Sequence, residues 1–201
     1  MKNSISVAEL GHMNIFEFKD LVPLADQEKL RNFLHKISFN INNAYMYLSV
    51  AGYLYETLEK MKKGEKRSGV HTIYLMAIIS LMISIRRIFD KSGKRSLREL
   101  VLGYTKSPAK QTWKAKIDKI YSNYDKFLNK ALVHQDEHSM KGVLNFPNSD
   151  EIHKHLDFAA MVYERISQEV CKADKLQIFR ISIKRNPSRE VAEIKSLFGV
   201  K

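Results

Sequence analysis

The chain has 201 residues, 44% hydrophobic and 28% charged, so it can bury one substantial core and has the composition of a soluble globular protein. Only 8 glycines and 4 prolines are present, which excludes a turn-rich all-β protein and favours long helices. The net charge of +12 favours a polyanionic partner, nucleic acid before an anionic membrane surface, although a diffuse basic surface gives the same total.

The single cysteine and the apolar runs indicate the compartment. Cys171 excludes an internal disulfide and is typical of a reducing environment, where we expect it to be packed in the core. The N-terminus has no continuous apolar segment of the kind found in secretory signals. The longest apolar run, 72–85, has about fourteen residues, which is too short to span a bilayer. We therefore expect a cytoplasmic protein with no membrane partner.

The first part of the chain predicts one segment of uncertain structure and one long helix. Residues 1–25 lack a clear period and are interpreted as an N-terminal segment packed over the domain. From 25 or Asp26, a residue that can cap a helix, apolar residues recur at spacings of three and four as far as Leu58, which predicts a helix to about Lys62. The run MKKGEKRSG (61–69) is interpreted as a solvated loop.

The second predicted helix, from about His71 to Asp90, is apolar on nearly every side. Such a helix is typical of the centre of a bundle. It ends in RRIFD (86–90), where Arg86 and Asp90 are four residues apart and share a face. A turn follows over 91–95, and SLRE (96–99) has the capping-box pattern that begins a short helix.

Two further helices are predicted, from about 109 to His134 and from Ser149 to about Lys172. The first of these has one apolar and one lysine-rich face. Together with the earlier helices, they define an all-α, up-and-down four-helix bundle over 26–172 with short flanking helices. The tail 173–201 is predicted as a separate segment with a short amphipathic helix over 189–198.

Two charged stretches are the candidates for a polar site. The first, IRRIFDKSGKRSLREL (85–100), follows the apolar helix. The second, DKFLNKALVHQDEHS (125–139), ends the helix predicted to reach His134 and also carries Asp136. We expect the two stretches to meet in space and to form the polar site of the protein.

Parts of both stretches resemble the HEPN superfamily of small helical proteins, in particular its abortive-infection-U-like clade of bacterial defence proteins. RIFD (87–90), followed by SLREL (96–100), is similar to that clade's R-I/L-F-D … S-L pattern. KFLNKALVHQD (126–136) is similar to its R-x-K-x-x-A-H-x-D element. The resemblance covers about 26–172 and implies a HEPN-like helical bundle that forms a homodimer.

The resemblance further implies the metal-independent ribonuclease site that many HEPN proteins have, which is built from an R-x(4–6)-H motif of each subunit. This chain departs from that motif, because residues 127–129 are Phe, Leu and Asn and no arginine stands at the required spacing before His134. Arg86 or Arg87 supplies the cation through space, or Lys126 does, or the nuclease chemistry is lost.

His134 is the leading catalytic candidate. An imidazole near neutral pH can take the proton from a ribose 2′-hydroxyl and return one to the leaving oxygen, without a metal ion. In this hypothesis Arg87 clamps the phosphate, while Asp90 and Asp136 orient the two groups. The alternative is structural: His134 complements a helix C-terminus, and Arg86 or Arg87 forms an ordinary ion pair with Asp90.

The basic residues around the proposed site are the candidates for contacts with RNA phosphates. A solvated basic loop is the alternative interpretation. The candidates are Arg86, Lys91, Lys94, Arg95, Arg98, Lys126 and Lys130.

A metal site is the weaker alternative. His134, Asp136 and His138 are ligand types that zinc accepts, and His153 with Asp157 could complete such a site. Alternate residues converge on one ion only in extended backbone, so we expect neither a metal nor any other cofactor.

Two functions from different classes follow. The first is a defence or toxin–antitoxin-type protein that binds RNA and cleaves it as a metal-independent endoribonuclease. The second is a catalytically inactive HEPN module that binds nucleotide, RNA or a protein such as a cognate antitoxin or defence partner. The motif departure favours the second, and the positive charge fits both.

Overall fold

The structure, a computed structural model, describes residues 18–61, 64–93, 95–128 and 148–172, together with residue 196. Within these ranges the chain is all-α, as predicted. Its one β contact there is an isolated bridge between Phe18 and Cys171. The helices are α1 (Leu24–Lys60), α2 (Glu65–Phe89), α3 (Leu97–Tyr104), α4 (Lys110–Leu128) and α5 (Ser149–Val170).

α1 and α2 form a long hairpin on which the other helices pack. α1 follows Pro23, which has no side-chain hydrogen bond to the first turn, so the predicted Asp26 cap is wrong and Asp26 lies inside that turn. α2 begins at Glu65, within the segment predicted as a loop. Lys, Glu and Arg are good helix formers when exposed, and the Arg67 guanidinium also donates to the carbonyl of Met61 (2.6 Å) across the hairpin connection.

The remaining helices cover part of this hairpin. α5 packs on α1, α4 packs on α2, and the short α3 lies against both α4 and α5. α3 begins as predicted, because the Ser96 side chain accepts a hydrogen bond from the Glu99 amide (3.4 Å). The Asn148 side chain caps α5 in the same way through the Glu151 amide (2.8 Å).

The N-terminal segment is fixed against the end of α5. The Lys19 amide donates to the carbonyl of Val170 (2.9 Å), and Phe18 and Val22 are buried in the main core. Cys171 is buried beside them, as predicted, and burial raises the pKa of its thiol to about 12, which keeps it protonated. Residues 1–17 and the predicted tail 173–201, apart from residue 196, lie outside the described residues.

α2 is central to the bundle only along its second half. Leu81, Ile85, Ile88 and Phe89 are fully buried, whereas Ile73, Leu75 and Met76 in the first half, and Ile79 just after it, are exposed. The prediction of a helix buried on all sides is therefore wrong for that half. By length and composition the 23-residue segment Arg67–Phe89 could cross a membrane, since its most apolar 18-residue window has a mean hydropathy of 1.8. A third of that window is buried in the protein, and core helices meet the same criterion.

A buried hydrogen bond joins α4 to α5. The Tyr124 hydroxyl, on a ring that is 1% exposed, lies 3.0 Å from Nδ1 of His155. Burial lowers the pKa of His155; Lys116 lowers it further, while Glu151, 4.0 Å away, opposes the shift. The neutral imidazole is therefore the form that the fold selects.

We expect the protein to lose stability between about pH 7 and pH 5 through this histidine. Because the folded state holds the pKa of His155 below 6.5, the unfolded state binds more protons as the pH falls past that value. Burial and the nearby Arg31 lower the pKa of His35 as well, which adds to the trend. One proton contributes at most about 1.4 kcal/mol per pH unit.

Urea unfolding at several pH values measures this slope in the wild type, His155→Gln and His71→Gln. His71→Gln is the matched control at an exposed position on α2, whereas His155→Gln should reduce the slope. Equal slopes in the wild type and His155→Gln would contradict the assignment.

Candidate nucleic-acid interface

The two charged stretches meet where the end of α2 crosses the second half of α4. The guanidinium of Arg86 lies 3.1 Å from the Asp125 carboxylate, with side chains 42% and 27% exposed. Tyr121, one turn earlier in α4, donates from its hydroxyl to the same carboxylate oxygen (3.2 Å). An ion pair this exposed contributes about 0.3–1 kcal/mol, so its main effect is to fix the position of the arginine.

Lys91, which follows α2, also contacts α4 through its side chain. Its ammonium donates to the Ser122 hydroxyl (2.9 Å) and lies 5.6 Å from the centre of the Tyr121 ring. Neither partner is anionic, so the lysine is positioned without being neutralised. Its location beside an aromatic face is the geometry of a cation–π contact.

Two cations flank the carboxylate of Asp118, which lies one turn before Ser122 in α4. Nε of Arg98 lies 2.8 Å from one Asp118 oxygen, and Nζ of Lys114 lies 3.1 Å from the other. Partial burial opposes ionisation of Asp118, but hydrogen bonds and charge from Lys114 and Arg98 outweigh it and hold the pKa of this carboxyl below its usual range. Asp118 is therefore ionised and leaves one positive charge unmatched.

These contacts define the α4 strip. It contains five cations and two carboxylates, an excess of three positive charges, which the charge of Asp90 beside Tyr121 reduces to two. Along α4 it extends from position 114 to position 126, about 18 Å at the helical rise. Its members are Arg86, Lys91, Arg98, Lys114, Lys126, Asp118 and Asp125, and Lys126 is exposed on the same helix.

The two residues assigned to catalysis at the end of α2 lie differently. Arg87 is exposed. Asp90 is used by the turn that follows the helix, where one of its oxygens accepts hydrogen bonds from the Ser92 amide (2.9 Å) and the Ser92 hydroxyl (3.0 Å). The carboxylate that Arg86 contacts is Asp125, so the alternative Arg86–Asp90 ion pair is not the one that forms.

Arg95 is separated from the other predicted phosphate ligands. It lines a cavity of about 440 Å³ between the start of α1 and the start of α3, with Glu28, Lys29 and Glu99. The predicted cluster is therefore divided, because the side chains of Lys91 and Arg98 contact α4, whereas Arg95 faces α1.

Several predicted residues lie outside the described part of the chain. They are His134, Asp136, Lys130 and Lys94, so the proposed catalytic imidazole stays a prediction.

The described candidates for the alternative metal site have other contacts. Asp157 accepts a hydrogen bond from the Tyr45 hydroxyl (2.7 Å), and His153 contacts the carbonyl of Ser149. No group of three or more His, Cys, Asp and Glu side chains that could hold a metal ion occurs among the described residues.

Sequence reasoning missed Lys114 and Asp118 as members of the strip, and Ser122 as the contact of Lys91. The available signal was Asp118 itself, the one acidic residue between positions 109 and 124, four residues after Lys114. That spacing predicts the Lys114 contact. It does not predict Arg98, which arrives from another helix.

No family model, curated protein or solved structure matches the chain. The class of protein that the structure defines is an all-α helical bundle with a basic strip along one helix.

We expect Gly93→Ala to destabilise the fold through Asp90. A Cβ at position 93 would lie 2.7 Å from an Asp90 carboxylate oxygen and 3.0 Å from its Cγ. The carboxylate must then move and lose its hydrogen bonds to Ser92, at a cost of about 1–2 kcal/mol. Urea unfolding of Gly93→Ala, Asp90→Ala and the double variant measures the coupling.

In the Asp90→Ala background the alanine at 93 should cost less, because only the Cβ of residue 90, 3.1 Å away, still crowds it. Gly52→Ala is the control, because nothing lies within 4 Å of its added Cβ, and alanine should stabilise that helix by about 0.5–1 kcal/mol. Additive effects of Asp90→Ala and Gly93→Ala would refute a structural role for this carboxylate.

Proposed function

We propose that this protein is an RNA-binding helical bundle of the HEPN type, and that the α4 strip is the surface that contacts RNA phosphates. The observation that carries the proposal is the excess of positive charge on cations held in fixed positions along about 18 Å of one helix. The net charge of +12 supports it, since it increases the attraction to a polyanion.

The contacts within the strip explain why it is suited to phosphates. Arg86, Arg98 and Lys114 keep hydrogen-bond donors beyond those used by Asp118 and Asp125, because a guanidinium has five donors and an ammonium three. Lys91 and Lys126 have no carboxylate contact among the described ion pairs. A phosphate oxygen can therefore bind without breaking an existing ion pair.

The choice of RNA rests on the resemblance. A basic strip alone fits any nucleic acid, since phosphate contacts position a strand without reading its sequence. The HEPN-like stretches 87–100 and 126–136 overlap both ends of the strip, and many members of that superfamily act on RNA. A role in bacterial defence, with a cognate antitoxin or defence partner, is part of the same proposal.

Binding without cleavage is the function that the described residues support best. Arg86 contacts Asp125 and Asp90 is bound by Ser92, so two of the proposed catalytic or clamping groups have structural partners. Cleavage is a second candidate because Arg87 is exposed at the end of α2, close in sequence to Arg86 and Asp90. It then depends on His134 reaching the phosphate that Arg87 holds.

We expect a Lys91→Ala, Lys126→Ala double variant to bind single-stranded RNA more weakly and with less salt dependence. Two lost phosphate contacts should lower the slope of log K against log salt by about 1.4 and the affinity roughly tenfold at physiological salt. Fluorescence anisotropy of a labelled, unstructured RNA at several salt concentrations measures both quantities.

Lys36→Ala, Lys60→Ala is the matched control. It removes the same charge from exposed positions on α1, which has no substantial contact with α4. If both double variants lose affinity equally, the binding is diffuse and the strip is not the interface.

The cleavage hypothesis predicts activity that persists in EDTA, leaves 2′,3′-cyclic phosphate ends, and is lost in both His134→Ala and Arg87→Ala. Purified protein incubated with varied RNAs tests this, with Lys60→Ala as a charge control. RNA that stays intact while salt-dependent binding is retained would assign the protein to the inactive, RNA-binding class.

A further inference from the structure

The half of the α1–α2 hairpin nearest its connection extends beyond the main core. Its own small core is formed by Val50, Ala51, Leu54, Leu58, Val70 and Ala77, all from α1 and α2. No described residue of α3, α4 or α5 belongs to it. Two helices in isolation have one buried seam and leave their remaining faces uncovered, so this hairpin end is a marginal unit by itself.

The face of α2 that points away from this seam has a regular apolar pattern. Thr72, Met76, Ile79 and Ile83 follow one another at spacings of four, three and four, which is the spacing of the seam between two packed helices. Met76 and Ile79 are 62% and 42% exposed, and Leu75 beside them is exposed as well. We name this surface the outer α2 face.

The outer α2 face lies in a segment without charge. No Asp, Glu, Lys or Arg occurs from 70 to 85 in α2, and none from 37 to 55 in the facing α1. Two molecules of net charge +12 repel each other wherever their basic surfaces meet. A surface without cations is where two copies can come together without opposing like charges.

We propose that the outer α2 face binds a second copy of this chain, with the two α2 helices antiparallel about a two-fold axis near Ile79. A two-fold contact places each residue of the stripe opposite a residue of the same stripe, so an uncharged apolar surface is complementary to itself. An axis between Met76 and Ile79 pairs Met76 with Ile79 of the partner subunit, and Thr72 with Ile83 of the partner subunit.

This interface is independent of RNA binding and differs from the one that the HEPN resemblance implies. In the dimer that the HEPN resemblance implies, the two-fold axis would lie at the R-x(4–6)-H motif. Here it lies between Met76 and Ile79, roughly 13 Å along α2 from the Arg86–Asp125 ion pair. Arg86, three residues after Ile83, is the member of the α4 strip nearest to this interface, and the stripe itself contains no residue of the strip.

A second copy explains the face better than a bilayer does. A hairpin inserted in a membrane would have to carry its connection across, together with the charged helix ends beside it, which hold Glu56, Glu59, Lys60 and Arg67. Such charges cost several kilocalories per mole each in the hydrocarbon. The first half of α1 would have to enter the membrane together with the hairpin end, but in the protein it is buried against α5.

The mass of the full chain, measured by light scattering over a hundredfold concentration range, tests the interface. We expect the wild type to reach twice 23.4 kDa, and Ile79→Glu and Ile79→Lys each to remain at 23.4 kDa at every concentration. Mixing these two variants should restore the dimer, because opposite charges then meet at the axis. Circular dichroism checks that each single variant is folded, and Leu102→Glu, an exposed leucine on α3, is the control that should still dimerise.

A cysteine variant keeps the test decisive if the charged variants fail to fold. Ile79→Cys should form a disulfide-linked dimer under mild oxidation, whereas Lys126→Cys on α4 should not, and the buried Cys171 does not compete. A monomeric wild type, a dimer unaffected by Ile79→Glu, or equal cross-linking of both cysteine variants would overturn the proposal. Binding of monomers to vesicles of phosphatidylcholine and phosphatidylglycerol, lost in Ile79→Glu, would instead assign the face to a membrane.

Discussion

The apolar seam between α1 and α2 is the contact on which every other helix depends. α1 has 37 residues and supplies two sets of buried side chains, one shared with the rest of the bundle and one shared with α2 alone. α5 and α4 have 22 and 19 residues and pack on α1 and α2, respectively. At the helical rise, α1 is about 55 Å long and the other two are about 33 and 28 Å long. The shorter helices therefore cannot cover the whole hairpin.

This difference in length divides α2 into two parts with different surroundings. Where α4 covers it, Ile85, Ile88 and Phe89 are buried, and the arginines between them are directed towards the edge of the bundle. Arg86 then meets α4 at Asp125, which fixes one end of the α4 strip. Where α4 is absent, the same apolar composition leaves Met76 and Ile79 exposed. One helix thus supports a charged surface at one end and an uncharged surface at the other.

The sequence predicted the helices well because their apolar period is strong. The three- and four-residue spacing in α1 and the capping residues of α3 depend on neighbours in the chain, so they can be read directly. The start of α2 was missed because Glu65 and Arg67 are equally acceptable in an exposed helix and in a loop. The exposure of Met76 and Ile79 could not be read from α2, since it depends on the length of α4.

The candidate site was predicted only in part, for a related reason. That the end of α2 meets α4 followed from the two charged stretches, and Arg86–Asp125 is the contact between them. The expected partner was Asp90, because local spacing favours it. The turn after α2 competes for that carboxylate, because the backbone amide of Ser92, two residues away, donates a hydrogen bond to it. A backbone donor does not require a long side chain to be held in place. Arg98–Asp118 joins two helices and has no local signal at all.

The adjacent arginines at the end of α2 show how position selects a role. Arg86 and Arg87 differ by about 100° around the helix, so only one of them can face α4. Arg86 does, and the carboxylate of Asp125 with the hydroxyl of Tyr121 fixes its place in the strip. Arg87 is left at the surface, where its guanidinium pays little desolvation cost and remains able to bind a phosphate in two-point geometry. In the proposed function with cleavage, Arg87 is therefore the arginine with the freedom to follow the phosphate through the reaction, and Arg86 is the one that would position the strand.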